Sequence, residues 1–180
     1  MFKIWKMRFL TGLALLLSGG AGAVAQQNGP QAVAPLANAS PHYATATAQI
    51  EVNQPIDKLW ERIGSFCDFG NWVKEPCEIT AGSDREIGAV RVVNHRYVEV
   101  IVATTQYSYT YAFPPRPDTA YTMFHGTVEA RALGPKRSLV RYTQLWDNAR
   151  LPTAEERQRE IKLRTAHLLQ ELQSMKNLNE

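Results

Sequence analysis

The chain has only two cysteines and four histidines in 180 residues. Cys67 and Cys77 have no histidine beside them in sequence, so they make a poor zinc set. No dinucleotide, phosphate or metal motif is present, and no cofactor is expected. No nucleophile stands out either, because Ser65, Ser108 and Ser138 have no histidine with a claim on them. There is no internal repeat. The N-terminal apolar run, Phe9 to Leu17, is broken by Ser18-Gly19-Gly20, well short of the roughly 20 residues that cross a membrane. A basic surplus is lacking as well. Of 20 basic and 17 acidic residues, Lys3, Lys6 and Arg8 lie in the first 25, which hold no acidic residue, so residues 26–180 carry 17 of each. A nucleic-acid partner is therefore not expected, since phosphate binding needs a basic excess on one face. Arg157, Arg159, Lys162 and Arg164 alternate with Glu155, Glu156 and Glu160, the pattern of a solvated helix face.

What is present begins with a positively charged start, a short apolar run and Ala23-Val24-Ala25. This reads as a signal peptide over residues 1–25, cleaved after Ala25, with no cysteine nearby to anchor a lipid. The expected location is a bacterial periplasm, with no membrane span left after cleavage. Residues 26–42 are rich in Ala, Pro, Gln and Asn without a period, and read as a flexible linker. Residues 43–180 form one domain, large enough to bury a core without staples. In an oxidising compartment Cys67 and Cys77, ten apart, either pair or remain two buried thiols.

Ala44 to Val52 alternates small or apolar with polar residues, as a half-buried strand does. Pro55 and Asp57 suit a helix start, Ile56, Leu59, Trp60 and Ile63 make a helical stripe, and Gly64 ends it. Phe66, Phe69 and Trp72 occupy a second short helical turn. Strands follow over 78–81, 89–94, 97–104, 106–113, 121–132 and 138–148, rich in β-branched and aromatic residues. Thr153 and Glu156 form a capping box before a long helix with Ile161, Leu168, Leu172 and Met175 on one face. The simplest packing of this order is a curved antiparallel sheet wrapped around the last helix, with a cavity between them.

Several short pieces, in this order, resemble the START/Bet v 1-like (SRPBCC) superfamily, closest to its polyketide cyclase/dehydrase and lipid-transport branch. They are Val52 to Trp60 (VNQPIDKLW), Phe66 to Trp72 (FCDFGNW), Gly88-Ala89-Val90-Arg91, Glu99, and Tyr107 to Tyr111 (YSYTY). After Glu99 the family often has Arg-Leu and an acidic turn, where this chain has Val100-Ile101 and then Thr104-Thr105-Gln106. The resemblance implies an α+β helix-grip fold, with two short helices after the first strand. It implies a cavity for apolar or amphipathic small molecules. Members carry such molecules or cyclise and dehydrate polyketides, and a secreted branch resembles accessory proteins of periplasmic methanol dehydrogenase.

On this resemblance Glu99 faces the cavity, so Tyr97 and Ile101 do too by the two-residue period of a strand. Tyr121 falls on a cavity-facing position of the sixth strand, which carries Met123, His125 and Thr127 to the same face. Tyr142 falls at an inward position of the seventh, followed by Gln144 and Trp146. Tyr107, Tyr109 and Tyr111 share one strand face, which either lines the cavity or covers the outer sheet, and Tyr109 and Tyr111 are assigned to the cavity. The candidate catalytic pair is Glu99 with His125, as general acid and base, with Tyr121 or Tyr142 donating to a developing enolate. The simpler alternative pairs Glu99 with Arg91 or Arg141, and leaves His125 bonded to a backbone or ligand oxygen. Phe113 to Ala120 is either a lid at the cavity mouth or a stiff connector. Three functions remain open. The first is a carrier of a hydrophobic small molecule, and the second a cofactor-independent cyclase or dehydratase. The third is an accessory protein docked on a periplasmic dehydrogenase, which predicts a filled or shrunken cavity and an exposed apolar patch.

Overall fold

The computed structural model describes residues 40–114 and 122–179. The expected signal peptide and residues 26–39 of the expected linker lie outside the described residues. Strand β1 (Tyr43–Val52) buries Ala44, Ala46 and Ala48 on one face and exposes the polar residues between them. Helix α1 (Ile56–Ile63) starts after Pro55, carries Asp57 in its first turn and Arg62 in its last, and buries Leu59, Trp60 and Ile63. Helix α2 (Asp68–Val73) stops at Lys74, which takes the left-handed conformation at φ 58°. A disulfide joins Cys67, just before α2, to Cys77 at the start of the next strand. Of the two states the sequence allowed, the structure holds the paired one.

The remaining strands are β2 (Cys77–Ala81), β3 (Val90–Val93), β4 (Tyr97–Thr105), β5 (Ser108–Ala112), β6 (Thr122–Gly134) and β7 (Arg137–Asp147). All neighbours are antiparallel, in the order β1-β7-β6-β5-β4-β3-β2. Between β3 and β4 the chain turns through Asn94 and His95, both at positive φ, with Arg96 N–H bonded to Val93 C=O. Register shifts in β2, β4 and β6 mark bulges, which bend a sheet.

Helix α3 (Ala154–Asn179) closes the open face. Its start is the expected capping box: Glu156 N–H donates to Thr153 Oγ1, and Thr153 N–H donates to Glu156 Oε2, both at 3.1 Å. Leu168, Leu172 and Met175 are fully buried, each contributing about 1.5–3 kcal/mol over exposure. The alanines of β1 explain where the helix lies, because small side chains let it approach that strand closely. The result is the curved antiparallel sheet around a C-terminal helix that the order of elements predicted. Among the described residues no helix is long and apolar enough to cross a membrane.

The register defines two faces. Ala46, Gln144, Gly126, Tyr111 and Ile101 form one cross-strand row on the buried face. Ala48, Tyr142, Val128 and Tyr109 form the next row on that face. Thr45, Leu145, His125, Ala112 and Val100 form a row on the opposite face. Large rings alternate with small residues along the inner rows, so the tyrosines find room beside Gly126 and the alanines.

Candidate functional site

Between the inner face of the sheet, the end of α2 and the outer half of α3 lies a cavity of about 660 Å³. Its apolar wall is aromatic: Phe69 from α2, Tyr111 and Phe113 from β5 and its end, Phe124 from β6 and Tyr142 from β7. Phe113 stacks on Phe124 at 4.5 Å between centroids and on Tyr97 at 6.4 Å. The polar groups are Glu99, Gln144 and, from α3, Arg164, His167 and Glu171. Asn94, Arg96 and Glu75 also line it.

Glu99 and Arg91 face each other across β3 and β4 and are both buried. Arg91 Nη2 lies 2.5 Å and Nε 2.6 Å from Glu99 Oε2. Arg91 Nη1 donates to the Phe66 carbonyl, and the guanidinium covers the rings of Phe66 at 4.1 Å and Phe69 at 4.7 Å. Burial works against the Arg91 charge, but Glu99 and the nearby tyrosines outweigh it and hold the group above its ordinary value. Burial pushes the Glu99 carboxyl above the usual range, Arg91 pulls it back, and Glu171 adds to the rise.

Beside this pair the Tyr111 and Tyr142 hydroxyls meet at 2.5 Å. Burial holds both well above the ordinary tyrosine value and lifts Tyr109 to about 12. On α3, His167 Nε2 lies 3.1 Å from Glu171 Oε1, and that hydrogen bond raises the His167 pKa. The other oxygen of Glu171, Oε2, is buried with no hydrogen-bond partner among the described residues. Arg164 Nε bonds Glu160 at 3.2 Å, and its guanidinium lies over the rings of Trp146 at 4.6 Å and Phe124 at 5.2 Å.

Of the residues expected at the site, Tyr97, Glu99, Tyr111, Tyr142 and Gln144 line this cavity. Tyr109 and Trp146 are buried on the same face of the sheet, behind the lining. Trp146 Nε1 donates to Glu160 at 2.9 Å. Tyr121 lies outside the described residues, as do residues 115–120 of the expected lid, whose first residues Phe113 and Pro114 reach the cavity.

Three assignments are corrected. Met123 is 42% exposed, and His125 lies in the outer row with Ala112 and Leu145. His125 Nδ1 is 3.0 Å from the Met123 carbonyl, so Glu99 and His125 do not converge. The cause is a bulge. Thr122 pairs with Asp147 and His125 with Leu145, so β6 spends one residue more than β7 there, with Met123 at φ 58°. The extra residue reverses the alternation and turns Phe124, Gly126 and Val128 inward. Thr127 goes outward with the others, its hydroxyl 2.9 Å from that of Thr110.

Sequence reasoning passed over Phe69, Phe124, Arg164, His167 and Glu171 as cavity residues. Two signals were available. Arg164 is three residues after Ile161 and Glu171 three after Leu168, so both fall within the apolar stripe of α3. Gly126 inside a strand marks a close approach, and a Cβ there would sit 2.2 Å from the Tyr111 ring.

No family model and no curated protein matches this chain. Solved structures do. XoxI from Bacillus cereus is 19% identical, aligned over 75% of this chain and 94% of its own, with a TM-score of 0.61. A START superfamily protein from Mycobacterium smegmatis is 14% identical over 74% of this chain and 94% of its own, at 0.56. Norcoclaurine synthase from Thalictrum flavum, solved with dopamine and hydroxybenzaldehyde, is 14% identical over 77% of this chain and 87% of its own, at 0.57. The strand order, the two helices after β1, the long closing helix and these likenesses together give the chain the helix-grip fold of the START/Bet v 1-like superfamily.

Proposed function

We propose that the protein binds a hydrophobic or amphipathic small molecule in the cavity between the sheet and α3, and carries it in a bacterial periplasm. The cavity itself carries this reading. Its volume, about 660 Å³, falls in the range of small-molecule sites, and its aromatic walls with a few convergent polar groups have their chemistry. The export pattern of residues 1–25 and the Cys67–Cys77 disulfide support an oxidising compartment outside the cytoplasm. An open cavity of this size favours binding over an accessory protein that only docks on a dehydrogenase.

A cyclase or dehydratase activity is the second reading, favoured by one observation. The Tyr111 and Tyr142 hydroxyls, 2.5 Å apart, stand at the cavity as proton donors to a developing oxyanion. The likeness to norcoclaurine synthase, a synthase by its name, belongs with this reading.

Native mass spectrometry of the protein purified from its own host, followed by organic extraction, tests both. A bound small molecule, recovered unchanged after incubation, supports the carrier. Conversion of that molecule, slowed about 100-fold by Tyr111→Phe or Tyr142→Phe, supports the enzyme. A protein at its bare mass overturns the carrier reading.

A further inference from the structure

We propose that the ligand is an organic cation, an apolar body bearing a protonated amine, and that Glu171 receives the amine on the α3 wall of the cavity. The inference rests on the binding reading above and names the ligand class for the same site.

It follows from the charges around the cavity, of which Glu75 is exposed to solvent. Glu99 is taken up by Arg91 at 2.5 Å. Arg164 is engaged by Glu160 and covers two rings. Arg96 lies over the Tyr97 ring at 5.4 Å. Glu171 is different. It is 8% exposed, it lines the cavity, and its Oε2 is buried without a hydrogen-bond partner among the described residues. Buried carboxylate oxygens are normally bonded, so this one calls for a donor that the described residues do not supply. Its other oxygen contacts His167, whose side chain is 67% exposed. That imidazole shares its charge with water and satisfies one oxygen only.

A ligand carboxylate or phosphate would meet Glu171 at like charge. A neutral hydroxyl would bond Oε2 but leave the charge uncompensated. An ammonium does both, and the ring faces of Phe113, Phe124 and Tyr142 attract a cation as well as an apolar body.

The test is calorimetric titration of the purified protein with three molecules that share one indole body: tryptamine, tryptophol and indoleacetate. They present an ammonium, a hydroxyl and a carboxylate. Tryptamine is expected to bind at least about 10-fold tighter than either of the others, the scale of one charge-assisted bond to a partly desolvated group. Glu171→Gln keeps the shape and removes the charge. It should erase the preference, bringing tryptamine and tryptophol within about 3-fold of each other on the variant. Tryptophol or indoleacetate binding as tightly as tryptamine overturns the inference and leaves the binding reading standing. A preference for tryptamine that survives Glu171→Gln assigns the amine elsewhere and overturns it too. If none of the three binds, this inference is overturned, and the binding reading is decided by the native mass measurement above. The comparison among ligands on the unaltered protein stands even if the variant fails to fold.

Discussion

Replacing Arg91 by methionine probes the interaction on which the cavity floor depends. The methionine keeps much of the apolar stem against Phe66 and Phe69 while removing the guanidinium. Two groups lose their partners: the Glu99 carboxylate, 4% exposed, and the Phe66 carbonyl. Removing one member of a buried ion pair costs about 3–5 kcal/mol, because the remaining charge is left uncompensated. Glu99 can escape by taking up a proton. Burial already pushes its carboxyl above the ordinary value, and without Arg91 only the upward influences remain. A carboxyl raised in the folded state costs stability above its unfolded pKa of about 4.3, and the cost shrinks as pH falls toward that value. The variant should therefore recover part of its loss between pH 7.5 and pH 5. Removing both charges with Arg91→Met and Glu99→Leu eliminates the orphan. The double variant should then be more stable than the sum of the single losses by about 2–3 kcal/mol. Urea denaturation of the oxidised protein, followed by circular dichroism at the two pH values, measures all of this. A loss under about 1 kcal/mol for Arg91→Met at pH 7.5, or additive losses in the cycle, would refute the reasoning.

Three further outcomes are expected. Gly126→Ala should destabilise by about 1–3 kcal/mol, because its Cβ would meet the Tyr111 ring at 2.2 Å. Gly134→Ala, with nothing within 4 Å, should change little in the same melts. In an NMR pH titration His167 should titrate above the usual histidine value of about 6.5 and fall back with Glu171→Gln, since the Glu171 hydrogen bond is the main cause of the rise. The small stabilisation from that pair is present at low pH and fades as pH rises through the His167 midpoint; an unmoved midpoint in the variant refutes the pairing. Cys67→Ala with Cys77→Ala should lower unfolding stability by about 3 kcal/mol, the loop-closure value for ten residues. A loss below 1 kcal/mol would mean that the loop is held by other contacts.

The sequence by itself determined what local chemistry and periodicity decide. The Thr153–Glu156 box, the alternation of Ala44 to Val52 and the stripe of α3 place elements that depend on neighbours a few residues away. The family resemblance, not the alternation alone, put Glu99 and Tyr142 on the cavity face; in the structure they share it with Tyr111 because β4, β5 and β7 keep their period through those positions. Only the tertiary structure decided the rest. The bulge at Met123 is set by how β6 pairs with β7, a long-range register, and it reversed the face of His125. The choice of Arg91 over Arg141 as the partner of Glu99 came from pairing across β3 and β4, while Arg141 meets Glu129 at 3.0 Å instead. Arg164 read as part of a solvated helix face, and the sequence assigned no role to His167 or Glu171. They became cavity residues because α3 packs against β1 and lays that edge of its stripe over the open sheet. A side chain's period along its own element is local, but the surface it faces is made by distant parts of the chain, and the function lies on that surface.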